Sequence, residues 1–477
     1  MTLKVFTIGW EPYHIHSILF PVQQKTNLKF INGLVGAAER TLIAKKKYPE
    51  LDFVSLSKKK GERLPFPDRD LLACLESSGV PTVKSMIQGD PVLRKRSAKE
   101  SLGYATLLAN KIRESLENLK PDVVLGSHDS IHSGLGLAVA KSLGIPWVTM
   151  AFSAIPGDLI GFCNALSPNA LIKLNSSSDD DLNVLANKLL NNVRNRKQAV
   201  MAYRAPLSIS QWLRQYWLLT LNLWRRNQEM GIRGIDRFYY PTITERIWDV
   251  ARRTFNRIML PSGRMLSTPP LGKFAYFPLH MAPESTVDTW APFYQDQLAF
   301  AAQIALAIPV DMSLVIKLHF SDPDNYSRSR LDKLMAMTNV YIAHPSASGN
   351  EFLEKATLVI GIQGTSSLEG SLLGKPVLHF GDSPYQYFPR ARRARRPDQL
   401  FEQIQDMLGS QQPKDEEIIE AYSEYMSRYL PGRTNDWSKP VTEGDIERFA
   451  ECFVALGCYL SAPGVKDNWY DRPPFIN

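Results

Sequence analysis

The sequence lacks several features that mark special classes of protein. It has only four cysteines in 477 residues, with neither metal-site spacing nor the density of a disulfide-rich scaffold: Cys74, Cys163, Cys452 and Cys458. No apolar run reaches the roughly 18 residues that span a bilayer. Polar Glu11 and His14 follow the short N-terminal apolar run too soon for a signal peptide. These absences favour a reduced, mostly buried set of thiols in a cytoplasmic protein.

Net positive charge is concentrated in one segment. The formal net charge is +8, but the segment from Arg194 to Arg264 alone has 14 Lys/Arg against 4 Asp/Glu, so the rest of the chain is slightly acidic. Helical periodicity dominates this segment, and aromatic residues such as Trp217 and Trp248 alternate with the arginines. Three interpretations remain open: a helical insert that packs its aromatics internally, a membrane-surface contact, and nucleic-acid binding. We favour the first two and expect no nucleic acid.

The rest of the chain alternates apolar strands with helices. A strand at Val123–Leu125, a helix that ends near Gly144 and a strand at Ile145–Met150 form a βαβ unit, which indicates a parallel sheet. After Pro270 the alternation resumes, with strands predicted at Leu314–Phe320 and Ala356–Ile362. We predict an α/β protein with four parts. These are an N-terminal Rossmann-like domain (1–175), a basic aromatic helical segment (176–268), a C-terminal Rossmann-like domain (269–415) and a helical tail (416–477).

Ligands of open parallel sheets bind beside the carboxyl ends of the strands, so the loops there are candidate sites. The segment Gly364–Gly370 lies between a strand and a helix and offers three hydroxyls, those of Thr365, Ser366 and Ser367. The free N–H groups and the positive end of a helix dipole suit a phosphate at such a position. A capping box formed by Ser366 and Glu369 would explain part of this pattern without a ligand.

Six of the eight histidines fall at predicted strand ends or in the following loops: His128, His132, His280, His319, His344 and His379. None has metal-site spacing, so we expect hydrogen-bond donors to phosphate or sugar hydroxyls, no metal and no cofactor. Lys317 and His319 are two residues apart on a predicted strand and would share one face. Lys317 would neutralise the charge of a leaving phosphate.

The order of these motifs is similar to that in a known enzyme family. Phe277–Thr286, Lys317-Leu318-His319, Ala343-His344-Pro345 and Gly364–Val377 occur in the order found in the glycosyltransferases of capsule and surface-polysaccharide biosynthesis, which include the 3-deoxy-manno-octulosonate (Kdo) transferases of bacterial capsules. The resemblance covers roughly residues 270 to 390. It implies a GT-B architecture, in which two Rossmann-like domains face each other across a cleft, here with a helical insert between them.

The resemblance also implies roles for individual residues on the donor side. His344 and Pro345 match the His-Pro element that contacts the donor phosphate in cytidylate-sugar transferases. By the same resemblance Gly364, Thr365, Ser366 and Ser367 would hold phosphate, Glu369 would reach a ribose hydroxyl, and His280, Lys317 and His319 would complete the donor site. Leu318 and Phe320 depart from the commoner Lys-Glu-His-Pro form, so the donor nucleotide stays open, with a CMP-sugar favoured over a nucleoside diphosphate sugar or a phosphoribosyl donor.

Three residues are candidates for catalysis. Asp129 lies in the loop after the strand at Val123–Leu125 in the first domain and would act as the general base, with His128 as the competing base. Glu284 is a second carboxylate on the donor side. The leading hypothesis is transfer of a sugar from a phosphate-activated donor to a lipid-linked or oligosaccharide acceptor, such as a capsule or O-antigen chain. The alternatives are a sugar-nucleotide epimerase of the same fold and a non-catalytic polysaccharide assembly protein.

Overall fold

The computed structural model describes residues 2–36, 38–77, 81–127, 130–166, 171–174, 179–195, 209–230, 236–289, 291–394, 396–433 and 439–471. The chain forms two compact units that do not follow chain order. The first unit consists of Met1–Ser176, Leu221–Ile243 and Ser427–Asn477, and the second consists of Ser177–Thr220 and Thr244–Met426. Across the described ranges, no helix is both long enough and apolar enough to cross a membrane.

The described residues contain thirteen strands. They are β1 (Leu3–Ile8), β2 (Leu28–Leu34), β3 (Asp52–Ser55), β4 (Val123–Gly126), β5 (Trp147–Phe152), β6 (Leu159–Cys163), β7 (Lys273–Pro278), β8 (Met312–Lys317), β9 (Val340–Ala343), β10 (Leu358–Gly361), β11 (Val377–His379), β12 (Ala391–Arg393) and β13 (Leu430–Pro431).

Helices separate most of these strands. They are α1 (Pro12–His14), α2 (Phe20–Lys25), α3 (Ala38–Lys47), α4 (Arg69–Glu76), α5 (Val83–Gly89), α6 (Ala98–Leu119), α7 (Ser130–Ser142), α8 (Asp179–Arg194), α9 (Ile209–Met230), α10 (Ile243–Ile258), α11 (Ser285–Asp288), α12 (Gln297–Ala307), α13 (Arg328–Met335), α14 (Gly349–Lys355), α15 (Thr365–Leu372), α16 (Leu400–Gly409), α17 (Asp415–Met426) and α18 (Glu443–Ser461). A π-helical turn at Ile15–Leu19 joins α1 to α2.

The sheet of the first unit has the order β3-β2-β1-β4-β5-β6-β13. The first five strands are parallel, and β6 and β13 extend the sheet in antiparallel pairing. Helix α18 packs on this sheet through Phe449 and Phe453, and the indole of Trp469 donates to the carbonyl of Trp147 at 3.0 Å. The C-terminal residues are therefore part of the core of the first unit.

The sheet of the second unit has the order β9-β8-β7-β10-β11-β12, and every pair in it is parallel. This is the strand order of a Rossmann fold, with β7 in the place of the first strand and β10 in that of the fourth. The residues of β10 are buried without alternation, because helices cover both faces of a parallel sheet. The core includes Phe277, Ile316 and Ile360.

The structure confirms the predicted fold class of two Rossmann-like α/β domains with a helical segment between them. Helices α8, α9 and α10 form most of the described parts of 179–258, and residues 236–242 form a turn and a loop before α10. The predicted strands differ from the observed ones by one to three residues at one or both ends. The strand expected at Leu314–Phe320, for example, begins at Met312 and ends at Lys317. Of the thiols, Cys163 and Cys452 are buried, whereas Cys74 and Cys458 are exposed.

Candidate functional site

The candidate site lies at the topological switch point of the second sheet. Strands β7 and β10 are neighbours, and the chain leaves them towards opposite sides of the sheet, so a crevice opens between the loops that follow them. His280 follows β7, and Gly364 follows β10. The next strands, β8 and β9, bring Lys317 and His344 to the same edge. Ligands bind at this position in Rossmann folds.

Gly364 and His280 are in direct contact across the switch point. Gly364 is the N-cap of α15 and has no side chain to cap the helix. A Cβ atom at Gly364 would lie 3.1 Å from Cε1 of His280, closer than an ordinary van der Waals contact. The predicted capping box of Ser366 and Glu369 is wrong, because the N-cap is Gly364, two residues before the position that the motif requires. The amide of Ser367 donates to the carbonyl of Gly364 at 3.0 Å, so the first-turn amides left for an anion are those of Thr365 and Ser366.

The three hydroxyls of the Gly364–Gly370 segment have different environments. Thr365 is exposed and Ser366 is half-buried, so both can reach a ligand. Ser367 is fully buried, and its Oγ lies where a Cβ at Gly361 would be. Among the described residues this Oγ has no hydrogen-bond partner. The structure thus leaves two of the three hydroxyls at the surface of the site.

His280 is held in place by Gln297, a residue that the sequence did not single out. The backbone N–H of His280 donates to Oε1 of Gln297 at 2.8 Å, and Nε2 of Gln297 donates to the carbonyl of His280 at 3.1 Å. The imidazole Nδ1 lies 3.5 Å from the carboxylate of Glu284. Burial acts to raise the pKa of Glu284, but the hydrogen bond from His280 and the electrostatic interaction with its ring outweigh burial, so the pKa lies below its usual value.

Lys317 is buried at the end of β8. Its Nζ donates to the carbonyls of His344 at 3.0 Å and Pro345 at 2.8 Å, and thus ties β8 to the loop after β9. An ammonium group has three N–H donors, so one remains for a ligand. Burial lowers the pKa of Lys317 to about 8. The side chain is cationic at pH 7 but close to its titration range.

His319 and His344 have matching geometries. His319 lies in the loop after β8, so the expected alternation with Lys317 along one strand is not found. In each histidine Nδ1 accepts from the backbone N–H two residues further on, that of Ser321 at 3.3 Å and that of Ser346 at 3.2 Å. Burial lowers the pKa of His319 to about 4, and burial with the charge of Lys317 lowers that of His344. Both rings are therefore neutral and carry their proton on Nε2, which makes them hydrogen-bond donors.

Two further polar side chains border the loop after β10. Burial raises the pKa of Glu369 to about 7, so this carboxyl is partly protonated at neutral pH. Gln363 is buried beside Gly381, and neither atom of its amide has a partner among the described residues. A buried amide without partners is uncommon, because its desolvation is not compensated. Gln363 directly precedes Gly364 and was missed by the sequence analysis.

Arg253 of α10 joins the two loops that carry His280 and His319. Its guanidinium contacts the carboxylate of Asp322, lies 3.8 Å from Asp324, and donates to the carbonyl of Ala282 at 3.4 Å. Asp322 in turn accepts from the backbone N–H of Ala282 at 3.0 Å. Burial alone would lower the pKa of Arg253, but the charge of Asp322 raises it. This buried ion pair fixes the relative position of the two loops.

In the first unit the equivalent edge is aromatic. His128 and Asp129 lie outside the described residues. Nearby, the phenol of Tyr104 donates to Asp236 at 2.9 Å, and burial raises the pKa of Asp236 to about 6. The ring of His132 is fully buried and lies edge-on to Tyr104, and both of its nitrogens lack partners within the described chain. Sequence analysis placed His132 among the loop histidines, but it is inside α7.

His379 is likewise a buried core residue. It ends β11, and neither ring nitrogen has a partner in the described part of the structure. Burial lowers the pKa of His379, like that of His132, to about 3. Neither histidine faces a ligand site. Among the described residues, no group of three or more His, Cys, Asp or Glu side chains is arranged to hold a metal ion.

No protein-family model matches the chain, and no curated protein sequence matches it significantly. Solved structures of low sequence identity are similar to it. One is a KpsC β-Kdo 2,4-transferase from Thermosulfurimonas dismutans, which is 12% identical over 69% of this chain and 87% of the other, with a TM-score of 0.35.

Two other similar structures cover nearly the whole chain. A UDP-N-acetylglucosamine 2-epimerase from Rickettsia bellii is 13% identical over 98% of this chain and 100% of the other, with a TM-score of 0.32. The spinosyn forosaminyltransferase SpnP is 12% identical over 97% of this chain and 100% of the other, with a TM-score of 0.26. At these TM-scores the fold assignment rests on the strand order of the two sheets.

Proposed function

We propose that this protein is a glycosyltransferase of the GT-B type, which moves a sugar from a phosphate-activated donor to a bacterial surface polysaccharide. The observation that carries the proposal is a row of groups at the ends of four neighbouring strands of the second sheet. The row consists of the ammonium group of Lys317, the neutral imidazoles of His319 and His344, and the N-terminus of α15. Adjacent strands are about 4.8 Å apart, so the row from β10 to β9 is roughly 14 Å long. A row of this length suits an extended anionic ligand.

Each part of the row has a task in binding the donor. The amides at the start of α15, with the hydroxyls of Thr365 and Ser366, bind one phosphate. The Nε2–H groups of His319 and His344 and the third N–H of Lys317 donate to phosphate or sugar oxygens. In this proposal Glu369 and the unpaired amide of Gln363 bind hydroxyls of the nucleoside.

The transfer step needs a base and a stabilised leaving group. The acceptor hydroxyl loses its proton to Asp129, or to His128, while its oxygen bonds to the anomeric carbon of the donor. The bond from that carbon to the phosphate oxygen breaks, and the negative charge left on the nucleoside phosphate is stabilised by Lys317 and the helix N-terminus. Glu284 holds His280 in orientation and contacts the donor sugar. No metal and no cofactor takes part in this scheme.

The proposal includes the partners. The donor is a CMP-sugar in preference to a nucleoside diphosphate sugar, and the acceptor is lipid-linked or an oligosaccharide of capsule or O-antigen type. The enzyme acts in the cytoplasm at the inner face of the membrane, where a lipid-linked acceptor is found. Support for the donor class comes from the resemblance of His344-Pro345 to the cytidylate-sugar transferases.

The first experiment identifies the donor. A thermal-shift screen over CMP-, UDP- and GDP-sugars should raise the melting temperature with one class of nucleotide, because a ligand that binds only the folded protein stabilises it. His344→Ala should remove that shift, whereas His16→Ala, which alters a partly exposed histidine beside Glu50, should retain it. A shift that survives His344→Ala contradicts the donor site.

The second experiment separates transfer from other reactions. With donor and acceptor present, Asp129→Asn should abolish sugar transfer and leave donor binding intact. Conversion of the sugar nucleotide in the absence of acceptor identifies an epimerase instead. If calorimetry detects no binding of nucleotides or sugar phosphates, the protein is a non-catalytic assembly factor, and the proposal is wrong.

A further inference from the structure

Helix α10 has its polar face buried and its apolar face exposed. On the buried face, Arg253 contacts Asp322, and the amide of Asn256 donates to the carbonyl of Asp324 at 3.0 Å. Asp249, one turn before Arg253, lies on the same side and accepts from Arg252 at 2.9 Å. Charged and amide groups, rather than apolar side chains, therefore attach this helix to the second unit.

The opposite side of α10 is a continuous apolar stripe, which we name the α10 face: Ile247, Trp248, Ala251, Phe255 and Ile258. Their spacing places them on one side of a helix. Ile247 is 56% exposed, Trp248 76%, Phe255 65% and Ile258 63%. Single exposed apolar residues are ordinary, but a contiguous patch of large ones marks an interaction surface.

The neighbouring helix α9 has exposed apolar residues of its own. The guanidinium of Arg246, on α10, lies 5.0 Å from the ring centroid of Tyr216, on α9, so the two helices are adjacent in the second unit. On this part of α9, Leu213, Trp217 and Leu218 are exposed. The exposed apolar surface therefore extends over two adjacent helices.

The charge of these helices identifies the partner. Within the second unit, α10 and the part of α9 up to Thr220 contain five arginines and two acidic residues. A two-fold contact between copies of the chain would bring arginines of one copy towards those of the other. An anionic lipid surface instead offers apolar chains to Trp248 and Phe255, and phosphates to the arginines at the edge of the stripe, such as Arg252.

We propose that the α10 face docks the protein on an anionic lipid surface, with Trp248, Phe255 and Ile258 inserted at the level of the headgroups and Arg252 on lipid phosphates. This function is separate from sugar transfer. Its test uses neither donor nor acceptor, so it can fail while the proposed enzyme activity stands, and the reverse also holds.

The test measures binding of the full chain to vesicles by flotation. The wild type should bind vesicles that contain phosphatidylglycerol, bind phosphatidylcholine vesicles far less, and be released by salt. The double variant Trp248→Ser/Phe255→Ser should lower the partition coefficient about a hundredfold, since each large apolar side chain contributes about tenfold or more. Arg252→Gln should weaken binding to the anionic vesicles alone.

A matched control replaces exposed apolar residues on two other helices of the second unit. Leu306→Ser/Phe401→Ser, on α12 and α16, should bind vesicles like the wild type. Both double variants should keep the melting temperature of the wild type, because the replaced side chains are exposed. Equal partitioning of all three proteins overturns the proposal. So does a wild-type dimer that binds no vesicles and dissociates in the Trp248→Ser/Phe255→Ser variant, because the α10 face is then a contact between copies.

Discussion

The carboxyl edges of the two sheets have the same strand order around the switch point, β2-β1-β4-β5 in the first unit and β8-β7-β10-β11 in the second, but they carry different side chains. In each unit the strand beside the switch point ends in glycine, Gly126 in β4 and Gly361 in β10. A Cβ at Gly126 would overlap the indole of Trp147, and a Cβ at Gly361 would overlap Oγ of Ser367. An aromatic ring therefore fills the space in the first unit, and a hydroxyl fills it in the second.

The same contrast continues outward from the strands. Around the edge of the first unit lie the stacked rings of Tyr104 and Phe238 and the enclosed His132, beside the hydroxyls of Ser127 and Ser133, which are hydrogen-bonded to each other at 2.8 Å. At the edge of the second, a lysine and neutral imidazoles still have donors free for a ligand. The strand order thus determines where a ligand can bind, and the side chains at that place determine whether one does. Four predictions test this difference.

The largest expected effect comes from Lys317→Met. Methionine fills a similar volume but removes the cation, so the rate of sugar transfer should fall by about 10²–10³, as for other groups that stabilise charge in the transition state. Donor binding by calorimetry should also weaken. His132→Leu, at the edge of the first unit, is the matched control and should leave donor affinity unchanged. Equal losses from both changes would remove the functional distinction between the edges.

The second prediction concerns Arg253, which holds together the loops after β7 and β8 at the edge of the second sheet. Arg253→Met should destabilise the second unit by about 3–5 kcal/mol, because Asp322 and Asp324 would remain buried without their cation. Hydrogen exchange should show faster exchange in the loops after β7 and β8 and little change in the first unit. Arg246→Met removes a partly exposed arginine 3.8 Å from Asp249 and should cost about 1 kcal/mol or less. A uniform effect on both units would contradict this assignment.

The third prediction follows from the pKa of Lys317. Donor affinity should fall as the pH rises through about 8, since the ammonium loses its proton there, by about tenfold per pH unit above that value. The stability of the free protein should instead rise with pH. Because the pKa of Lys317 is lower in the folded state, burying the ammonium group disfavours folding below about pH 8, and this cost disappears between about pH 8 and the ordinary pKa of lysine. Lys317→Arg should abolish the pH dependence of binding.

The smallest effects are expected from the two enclosed histidines. His132→Leu and His379→Leu should each leave stability unchanged or raise it by about 1 kcal/mol at pH 7, because they remove buried ring nitrogens that lack partners among the described residues. The pKa of each ring is lowered to about 3, so the unfolded chain binds more protons below about pH 6.5. Stability is therefore lost as the pH falls from 6.5 towards 3. Each leucine variant should lose less stability in acid-unfolding measurements, and a larger loss would indicate a polar partner for the ring.

Local patterns were sufficient to predict much of the fold. The strand predicted at Val123–Leu125 is β4, which ends one residue later at Gly126, and the parallel sheets follow from the alternation of short apolar strands with helices. The start of the helix after β10 was not predicted. Helix α15 begins at Thr365 with Gly364 as its cap, a start that the S-x-x-E pattern did not indicate.

The candidate site was predicted in part. The residues His280, Lys317, His319 and His344 were found because loop histidines after parallel strands form a recognisable pattern. Gln297, Gln363 and Arg253 were missed, since each acts through partners far away in sequence or through burial, and nothing in its local sequence reveals this. Similarly, the pattern could not distinguish His379, which is enclosed in the core, from His344, which is accessible.

The sequence by itself determined the order of strands and helices, the concentration of arginine between the two sheets, and the glycine, hydroxyl and histidine residues available at strand ends. These are local properties, decided by side-chain periodicity and backbone preference over a few residues. Only the tertiary structure decided that β7 and β10 are neighbours, and that Lys317 binds two carbonyls while His319 and His344 stay neutral. It also decided that Arg253 of α10 is buried and Trp248 is exposed. Pairing and burial decide these properties, because both depend on contacts between residues that are distant along the chain.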